Sequence, residues 1–147
     1  MTGSEAEKQN RRTIEDCRSY GDAGSLNVMG LLDTIRPKWK HSDADVRIAA
    51  AKEIQDPEIL VKMIVDDGEW FVRHNTFGEV RDMDPDQKHY NKLVREAKDE
   101  EIRRKVVKVM KNESDLEWVA KNDKFKYVRD AAEHRLAELR ENTWGEK

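Results

Sequence analysis

One line of sequence is written four times along this chain, and self-repetition at this interval leaves few folds open to it. DVRIAAAKEI begins at Asp45, FVRHNTFGEV at Phe71, EIRRKVVKVM at Glu101 and YVRDAAEHRL at Tyr127. Counted from the Val or Ile before each arginine, units start at Val46, Val72, Ile102 and Val128, at spacings of 26, 30 and 26 residues. Four positions further on stand Ala50, Thr76, Val106 and Ala132; eight positions on stand Ile54, Val80, Met110 and Leu136. Positions 0, 4 and 8 share one helical face, so each unit opens with an amphipathic helix. QDPE at 55–58, DMDPDQ at 82–87 and KNES at 111–114 then break that helix and cap a second one.

The second helix repeats as well. Leu60, Tyr90 and Leu116 correspond, followed by Met63, Leu93 and Val119 and then by Ile64, Val94 and Ala120, with the four extra residues of the second unit placed in its turn. A single hairpin cannot bury both of its stripes, but neighbouring hairpins stacked on one another share a continuous core. The expectation is an all-α chain of about four helical hairpin units. Each junction also carries acid ahead of the arginine: SDAD at 42–45, VDDGEW at 65–70, KDEE at 98–101 and KND at 121–123. Arg47, Arg73, Arg103 and Arg129 are therefore read as structural repeat arginines. They pair with acids or carbonyls of an adjacent turn and set the stacking, rather than gripping a phosphate backbone.

The Asp…Val-Arg…Ala-Ala line, clearest in VRDAAEHRL, resembles the HEAT-like repeat family in its short bacterial and archaeal form, over residues 45–141. The resemblance implies a short right-handed α-α superhelix. The second unit departs from the pattern, with Asn75 and Thr76 in place of the Ala pair. Phycobilin lyases and the HEAT-like alkylpurine DNA glycosylases resemble the chain at the level of the repeat, which is their scaffold; no catalytic signature comes with it.

Outside the repeats, residues 1–24 are polar and are expected to form a flexible or weakly helical tail. In 25–39, Leu26, Met29, Leu32 and Ile35 recur at helical spacing after Ser25, which predicts an N-terminal cap helix that Pro37 ends or kinks. The repeat domain is placed at 25–141, and 142–147 is expected to fray with Trp144 partly exposed.

Composition narrows the function classes. With 28 basic and 31 acidic residues, the net charge of -3 argues against a general nucleic-acid binder. There is no run of about 18 apolar residues for a membrane span, and the first residues lack the apolar stretch of a secretory signal. Cys17 stands alone, so neither an intrachain disulfide nor a zinc quartet is expected, and a cytoplasmic setting is the default. His41, His74, His89 and His134 show no metal-ligand spacing; the His-Glu dipeptides of a HEAT-repeat hydroxylase such as the deoxyhypusine enzyme are missing. No nucleophile elbow or phosphate loop is present, with Gly68 read as a turn and Gly78 as a helix-packing position. The expectation is a non-enzymatic chain with no metal and no cofactor.

What remains is a surface. Lys62, Lys92 and Trp118 occupy one row of the second helices, with Arg95 and Lys121 in a neighbouring row. An aromatic among cations has the composition of a binding hot spot, although Trp118 equally reads as a packing residue. The leading expectation is a protein-protein interaction or scaffold module that binds a peptide or protein on this second-helix face. Two alternatives stand beside it: nucleic-acid binding through the basic 102–127 stretch, which has 8 basic and 4 acidic residues, and an accessory, lyase-like chaperone.

Overall fold

The structure, a computed structural model, describes residues 30–145. The tail 1–24, Cys17, and the first part of the expected cap helix with Ser25, Leu26 and Met29 lie outside the described residues. Within them the chain is helical. Residues 30–35 form a helix end and Lys38–Lys40 one turn of 3-10 helix. Seven α-helices follow: α1 (Ala44–Glu53), α2 (Pro57–Asp66), α3 (Trp70–Met83), α4 (Gln87–Glu96), α5 (Glu100–Val109), α6 (Glu113–Asn122) and α7 (Lys126–Trp144). Of the two outcomes expected at Pro37, the helix ends, at residue 35, and the chain restarts as a 3-10 turn.

Two of the three expected breakers cap the next helix: Asp56 accepts from the Glu58 N–H at 2.9 Å and Asn112 from the Asp115 N–H at 3.2 Å. At the DMDPDQ breaker Asp86 precedes α4 without a side-chain cap bond, while Asp43 in the first junction caps α1 through the Asp45 N–H at 2.8 Å. Pro57 opens α2 at a position where no amide hydrogen is needed. The odd-numbered helices pack in succession, α1 on α3, α3 on α5 and α5 on α7; the even-numbered ones lie against them, α2 on α3, α4 on α5 and α6 on α7. Leu60, Ile64, Val72, Val80, Tyr90, Leu93, Ile102, Val106, Leu116, Val119 and Val128 form one fully buried core through both rows.

Three expectations change. The four extra residues of the second unit lie in the helix: α3 has 14 residues where α1 and α5 have 10. Val-Arg-Asp-Met at 80–83 is compatible with helix, and the stop comes only at Asp84, which takes the left-handed conformation (φ 44°) before Pro85. Gly78 is no close-packing position, since a Cβ added there meets nothing within 4 Å. Among the described residues the fourth unit is a single helix. Instead of turning, α7 runs 19 residues, through Trp144 and past the expected fraying point at 142, with Trp144 81% exposed. Its second half is held by Leu139, which packs on the core, and by Arg140, which bonds Glu113 at 3.2 Å and Glu117 at 2.8 Å on α6.

The end of the array is marked by one residue per second helix. Val61 on α2 is buried, Asn91 on α4 is half-buried and hydrogen-bonded to Asp115 of α6, and Glu117 on α6 is exposed.

Candidate interaction surface

The repeat arginines adopt one geometry. In each, Nη1 donates to two successive backbone carbonyls at the junction ahead of its own helix. For Arg47 these are His41 and Ser42 at 2.8 and 3.0 Å; for Arg73, Asp67 and Gly68 at 2.7 and 3.0 Å. For Arg103 they are Ala97 and Lys98 at 2.8 and 3.2 Å; for Arg129, Asp123 and Lys124 at 2.7 and 3.2 Å. The Nε/Nη2 edge of the first three takes a carboxylate from the following junction. Arg47 takes Asp67 (2.7 and 3.0 Å), Arg73 takes Asp99 (2.6 and 3.0 Å) and Arg103 takes Asp123 (2.8 and 3.4 Å). Asp67 and Asp123 end the second helices α2 and α6; the matching residue after α4 is Ala97, so Asp99 two residues on supplies the carboxylate. The hydrogen bond from Arg73 holds the Asp99 carboxyl below its ordinary range, against the opposing effect of burial. Arg73 and Arg103 are buried, each 8% exposed, and Arg47 and Arg129 are half-buried.

The surface of the second helices is a series of shallow grooves. A cavity of about 470 Å³ lies between the 3-10 turn and α2, with Trp39, Lys40, His41 and Lys62 in its wall. A second, of about 370 Å³, lies between α2 and α4, where Lys62, Ile59 and Val65 face Lys92 and Glu96. A third, of about 230 Å³, lies between α4 and α6 around Val94, Arg95 and Trp118.

Of the residues singled out in the sequence, Lys62 borders the first two grooves and is tied to Asp66 at 2.8 Å, a hydrogen bond that lowers the Asp66 pKa and keeps it a carboxylate. Lys92 is exposed, with no ion pair among the described residues. Arg95 lies over Trp118, its guanidinium carbon 3.9 Å from the ring centroid, and its Nε donates to Asn91 at 2.6 Å. Trp118 is half-buried, with one side on the core and the other under Arg95. It is therefore both a packing residue and the floor of the third groove. Lys121 is exposed on α6 and borders none of these grooves. Trp39 is the groove residue that sequence reasoning missed; it was counted in the cap helix, although Pro37 directly before Lys38-Trp39-Lys40 marks a new start.

Of the eight cations of 102–127, four are paired with carboxylates, and Lys105, Lys108, Lys121 and Lys124 hold none among the described residues. Arg103 holds Asp123, Arg104 holds Glu101 at 2.7 Å, Lys111 holds Asp84 at 3.2 Å and Lys126 holds Asp130 at 2.7 Å. Lys105 lies 3.3 Å from the Nδ1 of His74, and that ammonium, after burial itself, depresses the His74 pKa. Among the described residues, no three His, Cys, Asp or Glu side chains group as metal ligands, and no helix is long and apolar enough to cross a membrane. Comparison of the chain with protein-family models, with curated proteins and with solved structures gave no match.

Proposed function

We propose that the chain is a short HEAT-like solenoid that binds a peptide or protein segment along its second-helix face, as a non-enzymatic interaction module of the cytoplasm. The observation that carries this reading is the run of three grooves between successive elements on that face, with Lys62, Lys92 and the Arg95–Trp118 stack along it. The stack supplies a rigid aromatic with a cation, the kind of side-chain pair that anchors partners at low entropic cost. Pairing of four of the eight 102–127 cations weighs against the nucleic-acid alternative at those positions, because a phosphate backbone would have to displace carboxylates already in place.

A pull-down from the native cell tests the reading, with full-length chain as bait against Lys92→Glu and Trp118→Ala, each first checked for an unchanged helical circular dichroism spectrum. Partners captured by the parent chain are expected to be lost from both variants. Retention of every partner by both variants removes this face from consideration.

A further inference from the structure

Three of the four repeat arginines are filled on both edges, and the fourth is filled on one. Arg129 has its Nη1 held by the carbonyls of Asp123 and Lys124, as its three relatives hold theirs, yet its Nε and Nη2 bond no carboxylate among the described residues. The reason is architectural. In units one and three the carboxylate stands at the C-terminus of the unit's own second helix, Asp67 after α2 and Asp123 after α6, and no second helix follows α7 among the described residues. The residue is only half-buried, less enclosed than Arg73 and Arg103, which are each 8% exposed.

We infer that Arg129 is a preorganised docking point for a carboxylate carried by a polypeptide partner. Two fixed carbonyl bonds orient the fork before anything binds, so little side-chain entropy is lost when a carboxylate takes the free edge. The same geometry is already occupied by a carboxylate three times in this molecule, at Asp67, Asp99 and Asp123. A bidentate pairing of this kind demands a fork, which a lysine does not have. The occupant is taken to be a single acid group on the precedent of Asp67, Asp99 and Asp123, each of which fills the matching edge with one carboxylate. The site is separate from the second-helix face and does not depend on it.

The test is a titration of the full chain followed through the side-chain Nε–H signals of arginine in ¹⁵N NMR. The probes are N-acetyl-aspartate methylamide, its asparagine counterpart, N-acetylalanine and methyl phosphate. The expected result is a saturable shift of the Arg129 signal with the aspartate probe, at least about tenfold weaker with the asparagine probe. The Arg47, Arg73 and Arg103 signals should stay in place as filled controls. Arg129→Lys should abolish the effect while preserving the charge. Tighter binding of N-acetylalanine than of the aspartate probe also supports the fork, and assigns its occupant as a chain terminus rather than a side chain. No saturable shift, an equal response of all four arginines, or preference for methyl phosphate overturns the inference.

Discussion

An arginine that meets two carbonyls and a carboxylate at once is costly to disturb, and the repeat arginines differ from the surface cations for that reason. Removing the carboxylate by Asp123→Ala leaves a buried guanidinium without its counter-charge, and a loss of about 3–5 kcal/mol is expected in urea unfolding. Lys62→Ala, which opens an exposed pair one helical turn apart, should stay within about 0.5 kcal/mol. Asp99 sets a pH limit. Its folded pKa lies below the ordinary 3.8, so its contribution to stability is fully present above that value and is lost as pH falls through the folded pKa; thermal melts should show this as a falling midpoint in acid. His74 has the same sign for a different reason. Its folded pKa is depressed from 6.5 by burial and then by Lys105, so protonation as pH drops through the folded pKa works against the fold. Lys105→Met should raise the His74 pKa toward 6.5 in an NMR titration without fully restoring it, because burial persists. Of this level, the arginine register could be read from the Val-Arg tag. Which acid each arginine takes could not, since every junction offers several and the alanine at position 97 passes the role to Asp99.

Helix lengths show where periodicity stops informing. The caps at Asp56 and Asn112 were legible because each needs one oxygen at one position ahead of an apolar stripe, whereas Asp86 before α4 makes no such bond. The added turn of α3 was not, because 80–83 fits helix and loop alike and only the left-handed Asp84 ends it. That added length leaves Gly78 in the interior of a helix with free space where its Cβ would be. Gly78→Ala is expected to raise stability by about 1 kcal/mol in the same unfolding assay. Tyr90 lies fully buried on α4 with no hydrogen-bond partner for its hydroxyl among the described residues. Tyr90→Phe removes a desolvated polar atom at nearly constant shape, so calorimetry should find the variant at least as stable as the parent, by up to about 1 kcal/mol.

At the scale of the molecule, all-helical architecture followed from the fourfold line, but the point at which the array ends did not. Continuation and termination differ here by whether α7 turns near 137, and the residues there allow both. The series Val61, Asn91, Glu117 records the difference instead: each successive second helix offers its outer neighbour a more polar side chain, and the last is covered by Arg140. Restoring the first member of that series at the last position, as Glu117→Val with Arg140→Ala, should expose an apolar end and produce concentration-dependent association in sedimentation velocity. The same series has a consequence for descent. A gene encoding such a chain lengthens most readily by duplicating an inner unit, whose both sides already fit copies of their neighbours. A copy appended after α7 would meet the Glu117–Arg140 pair where inner units offer Val61 or Asn91.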